Sequence, residues 1–520
     1  MYQYSLIETL INKLKLESDI NKISIIDSLK IIINMDEYYK ILENYSNPTE
    51  EEQYIIKMYT SKEAKIKNIL SDNYFSNIFS NIFFLLNNPY DIDDIKFDIF
   101  YTNYSLLKDV HLILIKKYEK IINSDLHKFY NIDLINKWIY TIEQKPMKKD
   151  EYYKLSKLGL EEKDIKWKKY NEIWKLYNSE CLKFKTYLLK LRDFYQSKNI
   201  PITGCYNISK ELYEHCIEAN IGIKLDIIKL ENWALRKLDK LVSRMKSLIL
   251  KINPKINKKL NVIQMLNQIN KDQKFKTKEE FIDDYKNKIK KYKNYFIKEL
   301  QFPHFTESNL VIFDDENLGG AYYGDNNFYL NTANIKNSYK YTTESLVLHE
   351  TIPGHHTQVH STKYLEMDNN LLYQYFSEIT NGFVEGWGLF SEKLGHNQTE
   401  WDIIGQIEFN MLRTLRVVVD IRIHYKGYTV DQIYNYMKDY LSMSEMELKT
   451  EIYRYVCLPG QAVSYKVGSV IYKKILRKNN IKYYLDPKAI EIYKEIIKCG
   501  PMPLKFLVKK YDINTDEIFK

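Results

Sequence analysis

Glycine and proline are scarce in this chain. Its 520 residues include Gly 16 and Pro 11, together about 5% where roughly 12% is usual in proteins. A protein made only of β-strands needs frequent turns, and those turns draw heavily on both residue types. The shortage argues against an all-β fold and indicates long helices joined by short loops. We therefore predict a mainly α fold.

Cysteine is rare as well, and the five thiols show no Cys-x-x-Cys spacing: Cys181, Cys205, Cys216, Cys457 and Cys499. An odd and sparse set suits a reducing compartment better than a disulfide framework. The N-terminal segment has no continuous apolar core of the kind that a signal peptide needs. No stretch approaches the roughly 18 uncharged apolar residues of a membrane span. We expect an intracellular, cytoplasmic protein without a membrane partner.

Neither sign of charge dominates the chain. Lys and Arg number 77 and Asp and Glu number 68, which leaves a net charge of +9. The two signs are interleaved, and no block of six like charges occurs. This pattern is typical of a solvated surface of mixed charge rather than of a nucleic-acid-binding face. We expect no nucleic-acid partner.

The pattern of apolar and polar residues changes near residue 301. Residues 1–300 show the spacing of amphipathic helices, for example from Trp233 to Ile252. Two short β-prone runs follow, Leu310–Phe313 and Phe328–Thr332, around a Gly-rich turn. Helical patterning then continues to the end of the chain. We divide the chain at this point into a helical region and a region, 301–520, that carries the chemistry.

The clearest chemical signal is HETIPGHH, from His349 to His356. In the common zinc motif HExxH, two imidazoles lie one helical turn apart and the Glu between them points at the metal-bound water. Here Pro353 and Gly354 delay the second imidazole, so an unbroken helix would turn His355 away from His349. A bulge at this Pro-Gly pair would restore the facing geometry. Taken alone, the motif also fits a helix start with surface imidazoles.

A second signal, FVEGWGLFSE, supplies a candidate for the third ligand. Zinc hydrolases use three protein ligands and leave one position for water. Glu385 follows His355 by 30 residues, which leaves room for a helix, a turn and a returning helix. Glu392 lies two turns further on the same face and is a candidate to support a ligand or to replace Glu385. Trp387 and Phe390 are read as core residues of this helix.

Four segments in this order resemble the domain-of-unknown-function 885 family, whose members are similar to gluzincin metallopeptidases. They are HETIPGHHTQ, FVEGWGLFSE, EIYRYVCLPGQAVSYKVG at Glu451–Gly468 and GPMPLKFL at Gly500–Leu507. The resemblance implies a zincin-like helical body with a small mixed β-sheet beside the active-site helix. It also implies Zn²⁺ as cofactor, held by His349, His355 and Glu385. His355 is preferred to His356 because Gly354-His355, with the polar Gln358 three positions further on, matches the pattern of related gluzincins.

The same resemblance implies catalytic roles for three residues. Glu350 is the general base, Tyr465 donates to the developing oxyanion, and Arg454 pairs with a substrate carboxylate. The expected reaction is hydrolysis of short peptides, with residues 1–300 forming one wall of the cleft. The oligomeric state is left open. Each role competes with an ordinary one, since Tyr465 is one of 46 tyrosines.

Three rival interpretations remain open at this stage. A metal-dependent amidase acting on a non-peptide substrate would use the same residues. A catalytically silent binding or scaffold protein would keep the fold but has no need of the base Glu350. A basic nucleic-acid-binding protein would need a recognition motif, which the sequence lacks. Phe328–Thr332 is interpreted either as an exposed edge for a peptide substrate or as part of a structural hairpin.

Overall fold

The computed structural model describes residues 48–63, 139, 165–197, 208–302, 307–314, 320–324, 326–333, 335–364 and 377–520. Its contacts divide the chain into two compact units, Met1–Asn207 and Ile208–Lys520. The helices between residues 208 and 300 therefore belong to the same unit as the chemical motifs. The role of residues 1–300 as a cleft wall stays a prediction.

Two helices are described in the first unit. Helix α1 spans Glu50–Thr60 and begins with a capping box, in which Thr49 and Glu52 each satisfy the other's backbone amide. Helix α2 spans Ile165–Ser197. Both agree with the helical pattern predicted from the sequence.

The second unit is mainly helical. Its helices are α3 (Lys210–Ile221), α4 (Ile227–Ile252), α5 (Val262–Asn267), α6 (Lys278–Lys293), α7 (Lys340–Glu350), α8 (His355–Tyr364), α9 (Asn381–Ser391), α10 (Glu400–Lys426), α11 (Val430–Met437), α12 (Glu445–Cys457), α13 (Gln461–Lys478), α14 (Pro487–Cys499) and α15 (Leu504–Lys510). The predicted mainly α fold is confirmed.

The ends of these helices follow local capping chemistry. Helix α10 starts at a capping box between Thr399 and Asp402 and ends at Gly427, which adopts the left-handed conformation. Helix α12 begins with the same device, in which Ser444 caps the backbone amide of Glu447. These signals are local, so the boundaries could be expected from the sequence alone.

A three-stranded mixed sheet precedes α7. Its strands are β1 (Asn309–Phe313), β2 (Ala321–Gly324) and β3 (Asn327–Asn331), in the order β1-β3-β2. Strand β3 pairs parallel to β1 and antiparallel to β2. The two β-prone runs are thus confirmed as strands, but β3 is central and its edges are both paired. Of the two interpretations of Phe328–Thr332, the structure agrees with the hairpin, because β3 pairs antiparallel with β2, and the outer strands of the described sheet are β1 and β2.

Helix α10 forms the centre of the core, and α4, α7 and α13 pack against it. Helix α9 lies along α13, where the hydroxyl of Tyr472 donates to the carbonyl oxygen of Phe383 over 2.8 Å. Trp387 and Phe390 are fully buried, which confirms the core role predicted for them. This packing gives α9 a fixed position between α7 and α13.

Candidate metal centre

The helix that carries the first imidazole is interrupted where the sequence predicted a break. Helix α7 ends at Glu350, α8 begins at His355, and the peptide bond between Ile352 and Pro353 is cis. A Cβ at Gly354 would lie 1.9 Å from the carbonyl oxygen of His349, so the turn is tight enough to require glycine. The indole of Trp387 donates to the carbonyl oxygen of Pro353 over 2.8 Å. The turn is therefore held against α9.

This break brings His349, His355 and Glu385 together. Their ligand atoms all lie within 4.8 Å of one another. Oε2 of Glu385 lies 3.5 Å from Nε2 of His355 and 3.9 Å from Nε2 of His349. Two imidazoles and a carboxylate are a donor set that can hold a divalent metal ion. Within the described part of the chain, this is the group with such an arrangement.

Gly388 makes room for the two imidazoles. It follows Glu385 by three residues on α9 and therefore lies on the same helix face. A Cβ at this position would lie 2.8 Å from Nε2 of His349 and 2.9 Å from Cε1 of His355. Any side chain larger than hydrogen would displace a ring. Sequence reasoning missed this residue, although the EGWG spacing signals it.

A buried carboxylate orients His349. Nδ1 of His349 lies 2.9 Å from Oε1 of Glu392, and Nη2 of Arg413 lies 3.6 Å from the same oxygen. Burial, followed by the positive charges of His355 and Arg413, holds the pKa of His349 well below its usual range. A neutral ring that donates from Nδ1 to Glu392 keeps Nε2, which lies on the side of Glu385, free to bind a metal ion. Glu392 thus contacts a ligand, as we had considered, and Arg413 was not foreseen.

The charges of the site are strongly coupled. Burial raises the pKa of Glu385, but the hydrogen bond and positive charge of His355 outweigh it and lower that pKa to about 2. Burial likewise opposes the protonated form of His355, yet the hydrogen bond and charge of Glu385 raise the pKa of this imidazole to about 9. Without a metal ion, the two residues form a charged pair. A metal ion binding here therefore has to displace a proton.

Glu350 lies next to this pair at the end of α7. Its side chain is buried, and burial together with the negative charge of Glu385 raises its pKa to about 7, although His355 opposes the shift. The backbone amide of Tyr323 donates to its carboxylate. Strand β2 therefore presents its outer edge to Glu350. A carboxyl with this pKa can both accept and release a proton near neutral pH.

The structure also brings Tyr465 to the site. The hydroxyl donates to the carboxylate of Glu385, and its ring stacks near His349 with centroids 6.4 Å apart. The amide of Gln461 lies 3.5 Å from the same hydroxyl. The guanidinium of Arg416 lies over the Tyr465 ring, 4.7 Å from its centroid. Arg416 was not recognised from the sequence.

Arg454 is connected to the site through neighbouring side chains. It donates to Oε2 of Glu451 over 3.0 Å and to Oε1 of Gln461 over 2.8 Å. Arg416 binds the same carboxylate over 2.7 Å. Through Gln461, Arg454 is connected to Tyr465, and 28% of its side chain stays exposed. Its predicted contact with a substrate carboxylate stays a prediction.

His356 is not part of the metal-binding group. Its Nδ1 lies 3.1 Å from the hydroxyl of Tyr323, and its ring packs against His360 with centroids 4.5 Å apart. The structure therefore selects His355 as the partner of His349, in agreement with the choice made from the sequence. The physical reason is the break before His355: a new helix begins there, so the side chains that follow point in other directions than they would in a continued α7.

Comparisons with known proteins identify a family and a fold. The family described as "Bacterial protein of unknown function (DUF885)" matches residues 177–510, more than half of the chain. Among curated proteins, none matches. A structure described as "the putative lipoprotein from Colwellia psychrerythraea" is 16% identical, with a TM-score of 0.71, 92% of this chain covered and 89% of the other. A "putative lipoprotein of unknown function" from Shewanella oneidensis is 14% identical, with a TM-score of 0.68 and 98% of both chains covered.

The expectation of an intracellular, cytoplasmic protein is corrected by these comparisons, because both similar structures are of proteins described as lipoproteins. That expectation was drawn from the sparse cysteines and the polar N-terminus, which are weak guides to location. None of the helices in the described residues is long and apolar enough to span a membrane.

Proposed function

The chain belongs to the DUF885 family of bacterial proteins of unknown function, and we propose that it is a zinc-dependent hydrolase with a zincin-like site that cleaves short peptides. The observation that carries this proposal is the meeting of His349, His355 and Glu385 beside the buried carboxyl of Glu350. A scaffold protein would need none of the four in this arrangement.

The donor set fits zinc in composition and in spacing. Zinc takes imidazole nitrogens and carboxylate oxygens in tetrahedral geometry, which separates neighbouring ligand atoms by about 3.4 Å. The separations between Glu385 and the two imidazoles are 3.5 and 3.9 Å. The hydrogen bond from His349 to Glu392 adds the outer carboxylate that is usual around zinc-bound imidazoles. His349, His355 and Glu385 would hold the ion.

Bound zinc would polarise the scissile carbonyl and lower the pKa of a bound water. The chain's own residues would move the protons. Glu350 accepts a proton from the attacking water and returns it to the leaving amine. Its raised pKa, about 7, allows both transfers near neutral pH. Tyr465, beside Glu385, donates its hydroxyl to the oxygen that becomes negatively charged.

Strand β2 would hold the substrate. It is one of the two outer strands of the described sheet, and the amide of Tyr323, on the side away from β3, reaches Glu350. An extended peptide can add to such an edge through main-chain hydrogen bonds, which position the scissile bond beside the base. This geometry favours a peptide over a compact non-peptide amide. Arg454, partly exposed and connected to Tyr465 through Gln461, is the candidate for binding a substrate carboxylate.

The test is the Glu350→Gln variant. The amide keeps the size of the side chain but cannot take up a proton, and Glu350 is not one of the three proposed ligands. We expect one zinc per chain in both proteins and a fall in peptide hydrolysis of about 10²–10⁴ in the variant. Metal analysis and digestion of a peptide library measure the two quantities.

Glu344→Gln is the matched control, because Glu344 is a buried glutamate of the same helix that pairs with Lys291 instead of facing the site. It should retain wild-type activity. Equal cleavage by wild type and Glu350→Gln would disprove the mechanism. A zinc-loaded wild type that cleaves no peptide would favour a non-peptide amide or a silent binding protein.

A further inference from the structure

A cluster of lysines lies behind Glu392, outside the proposed metal centre. Lys466 and Lys473 are two turns apart on α13 and share one face, with Ser469 between them. Lys393 joins this face, because its Nζ lies 2.7 Å from Oγ of Ser469. Lys237, on α4, acts electrostatically on both Lys466 and Lys473. We call Lys237, Lys393, Lys466 and Lys473 the lysine cluster.

The end of the chain connects the two helices that supply the cluster. Phe519 packs edge-on against Trp233 of α4 with centroids 5.2 Å apart. The backbone carbonyl of Glu517 accepts a hydrogen bond from Lys474 of α13 over 2.7 Å. Lys237 follows Trp233 by one helical turn and so lies on the same face of α4. The same turn thus contacts both helices, and on α4 it contacts the face that carries Lys237.

Positive charge continues from the cluster to the surface. Arg244 follows Lys237 by two turns on α4, and Arg477 follows Lys473 by one turn on α13. Both are exposed, and both act on the charge of Lys473. Lys237 and Lys473 are half-buried, and Lys466 is only 3% exposed. The cations thus form a series that runs from solvent into the interior.

Among the described residues, none of the cluster's lysines has an acidic side chain at ion-pair distance, and Lys466 is bonded to the neutral amide of Asn410. The charge of Glu392 acts on Lys393 and Lys466, but this carboxylate already accepts from His349. Burial and mutual repulsion lower the pKa of Lys393 to about 7 and of Lys473 to about 8. Burial therefore disfavours the charged form of these lysines, and a bound anion would offset that cost.

We propose that the lysine cluster is a binding site for a phosphate group. A bound dianion would favour the protonated form of these lysines, and its tetrahedral oxygens can accept from several amino groups and from the hydroxyl of Ser469, which a single carboxylate cannot do. The ligand is inorganic phosphate or the terminal phosphate of a small molecule. The site is separate from His349, His355 and Glu385, so it does not depend on the proposed hydrolysis.

The test is calorimetric titration of the full-length protein with inorganic phosphate and, separately, with a small phosphomonoester. We expect saturable binding to wild type and about tenfold weaker binding to Lys473→Met and to Lys237→Met, because each loses one charged donor. Both variants lose an unpaired cation, so they should fold, and phosphate should raise their Tm less than that of wild type. Binding of both compounds would indicate the phosphate group of a larger molecule, and binding of phosphate alone the free ion.

Lys474→Met is the matched control. Lys474 adjoins Lys473 on α13 but bonds to the carbonyl of Glu517, so the variant removes the same charge without removing a cluster donor. It should bind phosphate within about twofold of wild type, since the remaining effect is screened surface charge. Equal weakening in all three variants would mean non-specific attraction and would overturn the proposal. Unchanged affinity in Lys473→Met would place phosphate elsewhere, for instance at the metal centre, and would overturn it as well.

Discussion

Glu392 is the residue whose role depends most on its surroundings. It is 1% exposed, and burial raises its pKa to about 7, although Arg413 and Lys393 oppose the shift. Its carboxylate accepts a hydrogen bond from Nδ1 of the neutral His349 ring. It therefore selects the tautomer that leaves Nε2 free for a metal ion. Glu392, seven residues after the candidate ligand Glu385, thus supports a different candidate ligand, His349.

We expect Glu392→Ala to weaken zinc binding about 10- to 100-fold, because the ring of His349 loses its orientation. Glu392→Gln should weaken it less, since an amide oxygen still accepts the hydrogen bond. Competition with a chromogenic chelator measures both affinities. Glu408→Gln is the control, because Glu408 is also buried but accepts from the backbone amide of Ser442 instead. Unchanged zinc affinity in Glu392→Ala would mean that Glu392 does not orient a zinc ligand.

At the scale of the element, strand β2 is the feature on which the proposed binding of a peptide substrate depends. The backbone amide of Asn331 donates to the carbonyl of Gly320, and Ala321 pairs with Leu330. Hydrogen-bonded and non-bonded pairs alternate along an antiparallel ladder. The main-chain groups of Ala321 and Tyr323 therefore point away from β3, whereas those of Tyr322 point towards it. The contact between the Tyr323 amide and Glu350 agrees with this pattern.

This alternation predicts opposite results for two neighbouring proline substitutions. Ala321→Pro removes an amide on the free side, so the sheet should form while KM for peptides rises and zinc content stays the same. Tyr322→Pro removes an amide that pairs with β3 and should lower the stability of the folded protein. Peptide kinetics and thermal unfolding distinguish the two. An unchanged KM in Ala321→Pro would show that the substrate does not bind along β2.

At the scale of the whole molecule, the proposed binding of a metal ion would be linked to the release of a proton. In protein stripped by a chelator, His355 carries a proton at pH 7, because Glu385 outweighs burial and raises its pKa to about 9. Glu385 is already ionised, with a pKa of about 2. Zinc must displace the proton of His355, so its affinity falls as pH falls. We expect a change of about tenfold per pH unit between pH 6 and 8.

Chelator competition across this range measures the slope. Glu350, with a pKa of about 7, should steepen the slope towards pH 6, because zinc also disfavours its protonated form. A zinc affinity that does not vary with pH would mean that His355 is neutral and that the pair with Glu385 is absent.

Much of the site was determined by the sequence itself. Scarce glycine and proline indicated helices, because helices need few turns. Pro353 and Gly354 predicted the break between α7 and α8, because proline removes a helical hydrogen bond and glycine permits a tight turn. That break and the spacing to Glu385 made the three residues candidates, and the family resemblance then favoured His355 over His356. All of these signals act over short stretches of chain.

Only the tertiary structure decided which distant residues meet. The order β1-β3-β2 placed β3 in the centre and left β1 and β2 as outer strands, because β3 pairs with both of them. The contacts of Arg413 with Glu392 and of Arg416 with Tyr465 join separate helices. The lysine cluster likewise draws its residues from α4, α13 and the turn that follows α9, which are distant in the sequence. Such contacts depend on how helices pack, and the spacing of residues within one helix does not specify its neighbours.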